Sequence, residues 1–235
     1  MIYKKLYTIL LFAMVSTATL FAQEVGQNNP NTAKIRGTRF IPYPNYTGKP
    51  YLNDKFVLGE IQLNDGMIIG NIGINYSSYR DELIYYNSAI SAQIQIDKIS
   101  LKGFSFTDKF GKKRVFHRQY GSASLHDECY FEVLGEGATS LLVYRKVNLE
   151  SCDTYQSKSG LAYQPAYLYY LYSAQKGYLP VNLTRGSLLS KFSKPNQKVV
   201  KKLLRKNGIM LADESGFVKA WNLIEEKGIE VDFKN

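Results

Sequence analysis

The chain carries two histidines and two cysteines, so its choice of nucleophiles, acid–base groups and soft metal ligands is small. His126, Asp127, Glu128 and Cys129 are consecutive, and His117 lies a short way upstream. Imidazole, thiolate and carboxylate are all zinc donors, which makes His117, His126 and Cys129 candidate ligands. Their spacing follows no established ligand pattern, and a histidine alternating with Val115 and Gln119 on a strand suits an ordinary surface or core position. A Cys/His nucleophilic pair would need a local signature that Cys129 lacks. No serine sits in a Gly-x-Ser-x-Gly elbow, and no Gly-x-x-x-x-Gly-Lys loop is present to cradle phosphate. No catalytic residue is therefore assigned and no cofactor is expected. Carboxylates such as Asp127, Glu128 and Glu132 would form an acid–base pair only if the fold brought them together.

Charge is the stronger clue. The chain has a formal charge of +10, and residues 187–212 hold Lys191, Lys194, Lys198, Lys201, Lys202, Arg205 and Lys206 without one acid. Residues 213–235 carry a net −3. A basic stretch of this density binds anionic headgroups, phosphates or nucleic acid. The competing expectation, and the favoured one, is a solvated helix face that packs Val199, Leu203 and Leu204 inward and turns lysines toward Glu225 and Glu226. Lys198, Lys201, Lys202, Arg205 and Lys206 are the residues to contact an anionic membrane surface. No aromatic platform interleaves them, so nucleic acid is not an expected partner. The run Tyr167, Leu168, Tyr169, Tyr170, Leu171, Tyr172 suggests either a glycan- or lipid-binding surface or a strand buried on both faces, and packing is the favoured reading.

The N-terminus sets the compartment. Lys4 and Lys5 precede an uncharged run from Leu6 to Phe21, and Ala22 offers a small residue before the polar Gln23 and Glu24. That order is the grammar of a cleavable secretory leader over residues 1–22, with cleavage after Ala18 as the alternative. The run is diluted by Ser16, Thr17 and Thr19 and falls short of the roughly 20 apolar residues of a spanning helix. No cysteine lies near the cleavage site, so a lipoprotein is not expected, nor is a transmembrane helix in the mature chain. Of the formal +10, Lys4 and Lys5 account for two, leaving +8. Export also makes a Cys129–Cys152 disulfide available, provided the chain bends back after Val147, because a hairpin through Gly135, Glu136 and Gly137 sets Cys129 opposite a residue near Tyr144.

The elements behind these residues are mainly strands. Residues 23–54 read as an irregular arm or a strand-like lead-in, 55–186 as an antiparallel β domain and 187–235 as a helical unit packed on the sheet. Asp65-Gly66 closes a hairpin. Ile90, Ala92, Ile94 and Ile96 alternate with polar residues, the mark of a strand with one wet face. Phe104 and Phe106 change parity across Gly103, which predicts a bulge. Pro180 predicts an edge strand. Asp213 and Gly208 mark a helix start and a helix stop. About ten strands followed by two or three short helices is an α+β order: an antiparallel meander, curled or forming a partly open barrel.

The segment Pro50-Tyr51-Leu52-Asn53-Asp54-Lys55, then Gly59-Glu60-Ile61-Gln62-Leu63, Asp65-Gly66 and Asp81-Glu82-Leu83, resembles a recurrent family of exported β-rich proteins from Bacteroidota-type Gram-negative bacteria. The short basic and acidic helices at the end resemble that family's tail. The resemblance implies a periplasmic or surface location and a β-sheet domain, and it brings no assigned activity or catalytic residues. The resulting expectation is a non-enzymatic binding or structural module for an envelope component or partner protein. The alternatives are a hydrolase of envelope polymers working through carboxylates, or a carrier of a hydrophobic ligand.

Overall fold

The computed structural model describes residues 30–120, 128–153, 155 and 157–233, so the leader, His126 and Asp127 lie outside the described residues. The strands are β1 (Gly37–Arg39), β2 (Val57–Leu63), β3 (Ile68–Ser77), β4 (Glu82–Asn87), β5 (Ala92–Ile96), β6 (Leu101–Thr107), β7 (Lys113–Tyr120), β8 (Glu128–Gly135), β9 (Ser140–Tyr144), β10 (Val147–Ser151), β11 (Leu161–Pro165), β12 (Leu168–Ser173) and β13 (Gly177–Val181). The helices α1 (Arg185–Ser190), α2 (Lys194–Lys206) and α3 (Glu214–Glu226) follow. Eleven strands form one open sheet in the order β1-β5-β4-β3-β2-β6-β7-β8-β9-β12-β13, while β10 and β11 pair apart from it. Every pairing between these strands is antiparallel. This is the expected α+β meander. Among the described residues no helix is long and apolar enough to cross a membrane.

Connectivity explains why the first half curls. In the sheet β5 and β6 are four strand spacings apart, about 19 Å if flat. Only residues 97–100 join them, three of them in a 3₁₀ turn (Lys98–Ser100), and a 3₁₀ turn advances only about 2 Å per residue. The sheet has to bend to close that gap. At the same end Asn64 N–H donates to the Ser100 carbonyl at 3.1 Å. The concave face is filled, not hollow: Phe104 stacks on Phe116 at 4.5 Å, and Tyr76 and Tyr130 meet the Phe104 ring at 5.5 and 5.2 Å. Below them Asp81 is buried, accepting from the Tyr76 hydroxyl at 2.5 Å and the Tyr130 N–H at 3.3 Å and pairing with Lys98. Burial raises the Asp81 pKa despite those partners.

The second half is layered. Leu141, Val143, Leu171, Leu179 and Val181 face Leu188, Leu189, Phe192, Val200, Leu204, Phe217, Trp221 and Ile224 of the helical unit. On the other face Cys129, Phe131, Leu142 and Tyr170 form a small separate core flanked by Tyr144, Tyr172 and Tyr178. The tyrosine run of β12 thus packs on both sides. Only its start is more open, where Tyr167 lies under the Arg145 guanidinium at 4.9 Å.

Several local features follow the sequence. The β2–β6 register shifts between the Gln62–Gly103 and Leu63–Leu101 pairs, which is the irregularity at Gly103. β13, with Pro180, is an edge. The Asp213 carboxylate caps α3 by accepting from Gly216 N–H at 2.8 Å. The arm takes the strand-like form, since β1 pairs with β5 and Thr47 bridges Ala162. Other expectations are corrected. The stretch after the Gly135–Gly137 turn, which sequence alone reads as one strand from Ser140 to Val147, divides between two strands in different sheets. Ile90 and Ile99 lie exposed in turns outside β5, so the alternating run is shorter than its pattern. Cys129 and Cys152 are not joined in a disulfide: after Val147 the chain pairs with β11 and does not turn back toward β8.

Candidate anion-binding face

Helix α2 forms because Val200 and Leu204 fall one turn apart and bury against the sheet, with Pro195 in the first turn, where its missing N–H costs nothing. The Gln197 side-chain amide donates to the Phe192 carbonyl at 2.9 Å and fixes the entry. Gly208, at φ +60°, ends the helix, and Ile209 N–H returns to the Leu204 carbonyl at 3.0 Å. At about 100° per residue, Lys194, Lys198, Lys201, Lys202, Arg205 and Lys206 share an arc of roughly 140° opposite the buried seam. All six are exposed. Val199 is not an inward residue as expected. It is 51% exposed beside the basic arc, and Val200 takes the core position.

The expected neutralisation by α3 is absent. Glu225 faces the β8–β9 turn, where it accepts from Thr139 N–H at 3.4 Å, and Glu226 pairs with the adjacent Lys227. Among the described residues, no ion pair engages Lys198, Lys201, Lys202, Arg205 or Lys206. At the C-terminal end of the arc an open cleft of about 480 Å³ is lined by Arg185 and Arg205 together with Leu204, Ile209, Met210, Leu211 and Ala212.

Of the other candidate residues, His126 lies outside the described residues, and His117 and Cys129 lie on neighbouring strands. His117 is half-buried on β7, level with Gly103 and Phe131, and burial lowers its pKa. Cys129 is buried opposite Gln119, diagonal to His117 on the same face. Among the described residues no three His, Cys, Asp or Glu side chains are arranged to hold a metal.

Among the described residues, Glu132 of the carboxylates named from sequence shares a guanidinium with a second acid, Glu214, which sequence reasoning missed. Arg145 donates to Glu132 at 2.6 Å and to both Glu214 oxygens at 2.7 and 2.8 Å, and Arg114 clasps Glu132 from the other side at 2.5 and 2.7 Å. Tyr169 adds a hydroxyl to Glu214 at 2.8 Å. Burial disfavours the Arg145 charge, but Glu214 and Glu132 outweigh it and hold its pKa high. Glu214 is likewise opposed by burial, yet the Arg145 hydrogen bonds keep its pKa below the ordinary range. The only trace of this network in the sequence is a glutamate inside the apolar run of β8.

Elsewhere, two shallow depressions on the convex sheet face share a single carboxylate, Glu60, held by Ser105 and Lys113 at 2.8 and 3.0 Å. Asp65 and Asp97 line a wider cleft with Lys34 and Arg36, but both are exposed and Asp65 is engaged by Met67 N–H at 2.9 Å. A carboxyl general acid needs apolar surroundings that neither has.

No protein-family model matches the chain, and no curated protein or solved structure matches it.

Proposed function

We propose that the protein is an exported binding module that docks on an anionic component of the cell envelope through the outer face of α2, with the sheet as its scaffold. The observation that carries this reading is the unpaired basic arc. Six cations on one exposed helix face, without an ion pair among the described residues, keep their field available to a partner. The leader of residues 1–22 supplies the address, and the exposed Val199 and Met210 add apolar contact beside the charge. Competing readings find less support. A carrier needs an interior space, and the curl is packed with aromatic rings. A carboxylate hydrolase needs a free acid, and Glu132 and Glu214 are both held by Arg145.

A lysine near an anionic membrane contributes about 1 kcal/mol. The processed protein should therefore co-sediment with equimolar phosphatidylcholine/phosphatidylglycerol vesicles and not with phosphatidylcholine alone. The variant Lys198→Glu/Lys201→Glu/Lys202→Glu should bind about 100-fold more weakly or worse. Binding left unchanged by that triple reversal would end the proposal.

A further inference from the structure

The basic arc alone explains attraction to any anionic surface. The cleft at its end has a chemistry of its own. Its lining includes two arginines, Arg185 at the start of α1 and Arg205 in the last turn of α2. Both are exposed, and neither has an ion pair among the described residues. The other lining residues are apolar, and Met210 is 78% exposed.

The apolar wall is held in place. The turn at Gly208 returns Ile209 N–H to Leu204, as described above. On the far side Gly216 lets the chain approach the first turn of α3, since a Cβ there would lie 2.1 Å from the Met210 carbonyl oxygen. The nearest acid in sequence, Asp213, has its carboxylate committed to Gly216 N–H at 2.8 Å. The cleft thus presents positive charge and fixed apolar surface together.

Resting on the envelope-binding reading, we propose that this cleft is a subsite for a single anionic phospholipid. Its phosphate sits between Arg185 and Arg205, and the first methylenes of an acyl chain lie against Ile209, Met210 and Leu211. Guanidinium forks match phosphate oxygens in a way that lysine ammoniums do not. A cleft of about 480 Å³ is within the usual size range of small-ligand sites. Electrostatic attraction and a small apolar insertion are the two contributions that together make membrane association stable.

The test uses soluble short-chain lipid, so that surface attraction and cleft occupancy separate. Calorimetric titration of the processed protein with dihexanoyl-phosphatidylglycerol below its micelle concentration should saturate at one lipid per chain. Dihexanoyl-phosphatidylcholine, which has the chains without the net charge, and glycerol phosphate, which has the charge without the chains, should each bind at least tenfold more weakly. Arg185→Gln/Arg205→Gln should lower phosphatidylglycerol affinity at least tenfold, and Met210→Glu should do the same from the apolar side. Lys102→Gln/Lys109→Gln/Lys112→Gln, at exposed positions on the curled half of the sheet, should leave it within about threefold. Equal binding of glycerol phosphate, equal binding of the zwitterionic lipid, or indifference to the arginine and methionine variants would each overturn the subsite. If the subsite fails while the triple glutamate variant still loses vesicle binding, the proposed function stands without it. If vesicle binding also survives that variant, both fall.

Discussion

The two halves of the sheet stabilise themselves by different means. The half from β1 to β8 curls, so its inner face becomes its own partner, and four aromatic rings fill the space. The half from β8 to β13 stays open and has to borrow a partner, which the helices provide through Phe217, Trp221 and Ile224. Strand β8 belongs to both: Tyr130 points into the curled core, and Leu134 into the helical one. Glu132 lies between them on the same face, clasped by Arg114 and Arg145. The difference teaches where charge serves structure and where it does not. Buried charges at the junction are paired, whereas the charges of α2 are left open.

That contrast can be broken in order of expected effect. Trp221→Ala removes the largest buried side chain of the helical layer and should cost about 3–5 kcal/mol. Because β8 is shared, urea unfolding followed by far-UV and near-UV signals should still give one transition. Two separated transitions would show that the halves are independent domains. Arg145→Met should cost about 3 kcal/mol or more, since it leaves Glu214 without its guanidinium and the buried Glu132 with Arg114 alone. A neutral result in the same unfolding assay would mean that the network does not couple sheet to helices.

Glu214→Gln is the next smaller step, about 1–2 kcal/mol at neutral pH, and its sign depends on pH. The folded-state pKa of Glu214 is lowered from 4.5. The stability its ionisation provides is therefore present above that value and lost as pH falls through the folded one. The gap between wild type and variant should narrow as stability is measured from pH 7 down into that acid range. A constant gap would count against an ionic role for Glu214. Smallest of all, Lys198→Glu/Lys201→Glu/Lys202→Glu should change stability by about 0.5 kcal/mol or less, as expected for exposed positions without ion pairs. A large thermal shift would mean that these lysines serve the fold.

Much of this architecture is legible locally. The Gly103 irregularity, the Pro180 edge, the Asp213 cap and the Gly208 stop each depend on residues within a few positions. The disulfide was not legible, because it turned on whether the chain after Val147 returned to β8 or paired with Leu161–Pro165. The Arg145 network joins residues 13 and 69 positions away, and no short-range pattern specifies such a meeting. For α2 the sequence disclosed the density of charge and not its destination. The helix is rotated so that Val200, not Val199, is buried, and Glu225 turns toward Thr139 and not toward the lysines.

The central claim is that the α2 face, and not the net charge of the molecule, carries binding. The direct measurement compares two variants of equal charge change on equimolar phosphatidylcholine/phosphatidylglycerol vesicles. One is Lys198→Glu/Lys201→Glu/Lys202→Glu on α2. The other is Lys102→Glu/Lys109→Glu/Lys112→Glu, at exposed positions on the curled half. The first should lose about 100-fold in affinity, and the second should stay within about threefold of wild type. Equal losses in the two variants would contradict the account, reducing the interaction to a diffuse attraction between a basic protein and an acidic surface.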